Sequence, residues 1–83
     1  MNSVEEKILN VIKALGDRGT LVNVTEVLKT EQKNFDDAFS VAVEMDNRNQ
    51  VKLLYSNFNQ NKIVVEMTLV GLAAYKNLTR TAG

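Results

Sequence analysis

The sequence predicts an α+β fold of three N-terminal helices, a two-stranded β-hairpin and a C-terminal helix, in one domain spanning residues 1–83. Three observations carry that expectation. Apolar residues recur every three or four positions in the first half and again after Thr68, which is the helical period. Between them lie two runs of strand formers, Val51 to Asn57 and Lys62 to Met67, separated by an asparagine-rich stretch of hairpin-loop length. A length of 83 residues gives room for a single core.

Each element has local signals. Ser3 and Glu6 stand at capping-box spacing, so hydroxyl and carboxylate can satisfy backbone donors reciprocally. Val4, Ile8, Val11, Ile12 and Leu15 then form one stripe, Leu9 falls off it, and Gly16 is placed to end the helix. Thr20-Leu21-Val22 has room for a very short strand only. Asn23 or Thr25 can cap a short second helix carrying Val24, Val27 and Leu28 and ending near Thr30. Asn34 is placed to cap the third helix, where Asp36 and Asp37 complement the helix dipole. Its apolar stripe is Phe35, Ala38, Phe39, Ala42 and Met45. In the second hairpin strand Ile63, Val65 and Met67 alternate with Lys62, Val64 and Glu66. Thr68 caps a last helix that runs to about Arg80.

Composition bounds the function. With 45% hydrophobic and 24% charged residues the chain can build an apolar core, and without cysteine neither a disulfide nor a thiolate metal site reinforces it. At this size about 60–65% of the unfolded chain's surface is buried, so stability is modest. The polar, acidic start lacks the basic and apolar runs of a secretory signal. The most apolar stretch, Met67 to Tyr75, falls far short of the ~20 residues that span a bilayer. The expectation is a cytoplasmic protein without a membrane partner. Net charge is zero, yet residues 1–46 hold five basic and nine acidic side chains, whereas residues 47–83 hold five basic ones and a single Glu66. Such a dipole steers partners or favours self-association.

Catalysis fails on inventory. With no histidine and no cysteine, the common general base, the thiol nucleophile and the usual transition-metal ligands are missing. Asp36 and Asp37 point about 100° apart on a helix and suit its dipole rather than an acid–base pair. Ser40 and Thr68 have no partner base as nucleophiles. No Asp-x-Asp-x-Asp-Gly calcium loop and no glycine-rich phosphate loop occurs, and Gly16-Asp17-Arg18-Gly19 is a turn. The sequence therefore predicts a non-enzymatic protein with no metal, no cofactor and no small-molecule substrate.

The stretch Val43-Glu44-Met45-Asp46-Asn47-Arg48-Asn49-Gln50-Val51-Lys52-Leu53-Leu54, a polar loop, and then Val65-Glu66-Met67-Thr68-Leu69-Val70-Gly71 resembles winged helix-turn-helix domains, in particular those of MarR-type bacterial regulators. Such domains show a leucine-rich helix end, a Gly-Leu-Ile/Val lead-in to the first wing strand and a closing Leu-Thr-x-x-Gly. Here Met67-Thr68-Leu69-Val70-Gly71 looks like the closing signature, and Asn49 replaces the glycine of the lead-in, tolerating the same left-handed backbone. The likeness covers nearly the whole chain. It implies a winged-helix fold, transcription regulation as the function, and double-stranded DNA as partner, with the third helix in the major groove and the wing, Ser56 to Lys62, on the backbone or minor groove.

The residues divide over that implication. The third-helix face opposite the apolar stripe carries Asp36, Asp37, Ser40, Glu44 and Asn47, of which three are acidic and none basic. Facing phosphates, these carboxylates cost several kcal/mol together, whereas one good arginine–guanine contact returns only ~1–3 kcal/mol. A wing-led mode would use Arg48, Lys52, Asn57, Asn59, Gln60, Asn61 and Lys62 instead, with few phosphate contacts and a shallow salt dependence. The alternative is a protein-interaction module whose acidic third-helix face docks a basic protein partner without DNA. The last helix is apolar around most of its circumference, with Val70, Ala74 and Leu78 on one side and Leu69, Leu72 and Ala73 on the other. That points to a homodimer with Leu9, Leu69, Leu72 and Ala73 at its interface.

Overall fold

Helix α1 runs over Ser3–Arg18, two residues past the glycine expected to end it. The computed structural model describes residues 3–82. The capping role read for Ser3 rests on a side chain outside those described. Ile8, Val11, Ile12 and Leu15 are buried as the stripe predicts, while Val4 at its start remains exposed. Termination falls to Gly19, whose φ of 129° few side chains tolerate, and whose N–H donates to the Leu15 carbonyl at 3.2 Å. Gly16 has another duty. A Cβ built on it would stand 2.2 Å from the Tyr75 ring, so the missing side chain lets the last helix approach.

Strand β1, Leu21–Asn23, lies one residue later than the sequence places it and has a partner in the sheet. The sheet has three antiparallel strands in the order β1-β3-β2, where β2 is Val51–Asn57 and β3 is Lys62–Met67. This corrects the expectation of a free two-stranded hairpin. The central strand has donors on both sides, and Met67 N–H finds the Thr20 carbonyl at 2.9 Å. Rows across the sheet alternate in facing. Val22, Val65 and Leu53 turn to the core, whereas Leu21, Glu66 and Lys52 turn outward and are exposed. A bulge between Leu53 and Tyr55 shifts the register of β2.

Helix α2 is a single turn, Val24–Val27, shorter than the expected run to Thr30. Asn23 caps it by accepting from Thr25 N–H at 3.2 Å. Lys29, at φ 55°, then turns the chain away. Helix α3, Phe35–Asn47, begins as predicted, but Asn34 makes no side-chain capping bond. A 3-10 turn, Gln32–Asn34, leads into the helix instead. Its buried face is Phe35, Ala38, Val41, Ala42 and Met45, so Val41 joins the stripe and Phe39 is only half-buried.

Helix α4, Leu69–Ala82, starts where Thr68 predicts. Thr68 Oγ1 accepts from Gly71 N–H at 3.1 Å and donates to the Asn49 carbonyl. Ala74, Tyr75 and Leu78 pack on the core. Val70, expected on that stripe, is 50% exposed, because the inward position one residue on is Gly71, seated against Gln50. No described helix is long and apolar enough to cross a membrane.

Candidate binding surfaces

The tip of the predicted wing is held by the residues on either side of it in the fold. The loop Phe58 to Asn61 does not project freely but lies against the segment that leads into α3. Phe58 packs edge-on against Phe35 with ring centroids 5.5 Å apart, and Phe35 stacks on Phe39 at 6.0 Å. Gln32 Nε2 donates to the Phe58 carbonyl at 3.0 Å, and Asn61 Nδ2 donates to the Thr30 carbonyl at 2.7 Å. From the other side the buried Thr25 hydroxyl donates to the Asn61 carbonyl at 2.6 Å. Asn61 holds φ 51° there, a conformation that asparagine tolerates.

This tether uses much of the polar set assigned to groove or phosphate contact. Asn61 is taken up by Thr30 and Thr25. Asn57 accepts from Gln60 N–H at 3.1 Å and donates from Nδ2 to the Tyr55 hydroxyl, which itself donates to Gln60 Oε1 at 2.8 Å. These bonds close the loop on itself. Asn59 stays exposed, and Lys62 and Lys52 stand exposed on the outward sheet face. The asparagines that read as available donors are therefore chiefly the loop's own fasteners, a role set by the turn geometry.

Arg48 is committed as well. Its guanidinium meets Glu5 through two bonds, at 2.5 and 3.1 Å, and Glu44 at 2.8 Å, tying the end of α3 to the start of α1. The hydrogen bonds from Arg48 hold the Glu5 carboxyl below its ordinary range, and the same bonds, Glu5's first, push the guanidinium further up. A carboxyl lowered on folding adds stability above its unfolded value, near 4.3, and loses that contribution as pH falls through the lower folded value. Carboxyl-carbon NMR titration should give Glu5 a lower midpoint in the folded chain than in the same chain unfolded, and Arg48→Ala should abolish the difference. Equal midpoints in the wild type would remove the clamp from the account.

On the outward face of α3, Asp36, Asp37, Ser40 and Asn47 are exposed as predicted, and Glu44 is half-buried under Arg48. Among the described residues no cation pairs with Asp36 or Asp37. Asp46, which the sequence left without a role, accepts from Leu53 N–H at 3.0 Å and so blocks part of the free edge of β2. Of the residues read as a dimer interface, Leu69 is 84% exposed, Leu72 half-buried and Ala73 exposed, with Leu9 46% exposed on α1. Nothing local marks the contacts of Glu5, Gln32 or Phe58, because their partners Arg48, Phe58 and Phe35 all lie far along the chain. Phe58 alone left a trace, as an aromatic ring set among asparagines. No protein-family model matches the chain, and neither a curated protein nor a solved structure matches it.

Proposed function

We propose that this chain is a winged-helix-type binding domain without catalytic activity, and that the outward face of α3 docks a basic protein surface rather than a DNA groove. What supports the fold part is the element order, with a hairpin directly after the third helix and a threonine-capped helix closing the chain. The observation that carries the functional part is the state of the charges. Asp36 and Asp37 are exposed and pair with no cation among the described residues, whereas Arg48, at the end of the same helix, is already neutralised by Glu5 and Glu44. Phosphates approaching this face would meet like charge without a compensating donor. A lysine- or arginine-rich surface would meet open acceptors instead.

A second reading keeps one specific support: Lys52 and Lys62 share the outward sheet face, and neither pairs with a carboxylate among the described residues. DNA held by these two and Asn59 would bind weakly and with a shallow salt dependence. Amide NMR titrations separate the two readings. A short lysine/arginine-rich peptide should shift α3 signals around Asp36 to Ser40, and mixed-sequence duplex DNA at low salt should not. Asp36→Lys combined with Asp37→Lys should abolish the peptide response with the fold intact. DNA shifts at Lys52, Asn59 and Lys62, with none from the peptide, would put the second reading in place of the first.

A further inference from the structure

The first two turns of α4 are apolar on a side that the fold leaves uncovered. Leu69 is 84% exposed and Val70 50%, with Ala73 also exposed and Leu21 of β1 at 52%. Single exposed apolar side chains are ordinary, but contiguous ones mark contact surfaces. After Ala73 the exposed positions among the described residues are the polar Lys76, Asn77 and Arg80, so the apolar patch lies at the helix start. Its relief is specific. Leu69 forms a ridge between two hollows, one reaching Met67 and Leu72, the other Val51 and Val70, with Lys52 on the wall of both. Glu66 lines the first hollow and is the register partner of Lys52, yet no ion pair joins the two.

We propose that this patch is occupied by a second copy of the chain. In the resulting two-fold dimer each Leu69 enters the hollow beside the other, and Lys52 of each copy faces Glu66 of its partner. Two features select a copy over an unrelated protein. A ridge lies directly beside a hollow, as a self-complementary two-fold contact requires. The rim of the first hollow carries one charge of each sign, Lys52 and Glu66, while Asp46 on the second is already bound to Leu53 N–H. The first rim therefore complements itself on rotation, where a surface of one sign would be repelled at Lys52 or at Glu66. Pairing through the β2 edge is a poor competitor, since Asp46 occupies Leu53 N–H and the bulge follows at once. The proposal is independent of the reading given for α3.

Sedimentation velocity on the full chain, from micromolar to millimolar concentration, tests it. The wild type should approach twice the 9.3 kDa chain mass. Leu69→Glu, at a side chain that touches little within the chain, should keep its thermal transition and raise the dissociation constant by ~30-fold or more, the effect of losing one hot-spot residue. Lys52→Glu and Glu66→Lys should each weaken the dimer, and their combination should restore it. A monomer mass at every concentration overturns the proposal. So does a dimer that Leu69→Glu leaves intact, or one that the double exchange fails to restore.

Discussion

Phe35→Ala is expected to lower the stability of this domain by ~3–5 kcal/mol, the range for truncating a buried aromatic ring. Phe35 is the buried member of a chain of three rings, stacked on Phe39 and met edge-on by Phe58. Its removal opens a cavity at the start of α3 and deprives the hairpin tip of its apolar anchor, leaving the Gln32 and Asn61 bonds to hold it. Small domains are stable by only ~5–15 kcal/mol, and one of this size belongs at the lower end. The variant should therefore be partly unfolded at 25 °C by urea titration. Phe35→Leu keeps most of the volume and should stay folded. In that variant, amide hydrogen exchange should accelerate at Asn61 and Ile63 more than at Ile8 or Ile12. Uniform acceleration would show that Phe35 supports the core alone and not the tether.

Gly71→Ala should also destabilise the domain, although alanine favours a helix over glycine by ~1 kcal/mol. A Cβ at this position would stand 2.1 Å from the Gln50 carbonyl oxygen, a backbone atom fixed by its own bond from Thr68 N–H at 3.2 Å. Relief requires α4 to lift from the turn that joins α3 to β2. Overpacking costs ~1–3 kcal/mol, and a backbone obstacle sets the cost at the upper end, so the net loss is ~2 kcal/mol. For a domain of this size that lowers Tm by ~8–16 °C. At Gly16 the atoms in the way belong to the Tyr75 side chain, which can swing if its bond to Asp17 is given up, so Gly16→Ala should cost less. A Tm for Gly71→Ala at or above the wild-type value would mean that α4 is not seated on Gln50.

Much of the secondary structure was legible residue by residue. The bounds of β2 and β3 and the starts of α3 and α4 follow from alternation, helical spacing and Thr68, although a 3-10 turn takes the place of the cap expected of Asn34. The errors share one character. Gly16 reads as a helix stop because glycine usually is one, and nothing local reveals that Tyr75, far along the chain, needs the space. Thr20 to Val22 reads as a very short strand, but nothing local shows that it lies one residue later and joins the second edge of β3. Among the site residues, the exposed acidic face of α3 was legible because helical winding places it opposite the core. The internal bonds of Asn57, Gln60 and Asn61 were not legible, because an asparagine that fastens a turn and one that waits for a ligand look alike in sequence.

Short-range interactions within a helix or a hairpin repeat with a fixed period, so spacing was enough to set the element order and most of the buried stripes of α1 and α3, though not the burial of Val41 or the exposure of Val4 and Val70. The tertiary structure alone decided which charges are left uncompensated and which apolar side chains are left uncovered. Arg48 loses its availability to Glu5, 43 residues away, while Leu69 keeps its exposure because α4 turns Gly71 inward against Gln50. Both outcomes depend on which surfaces the closed chain brings within a few ångströms of each other, and no local period encodes that.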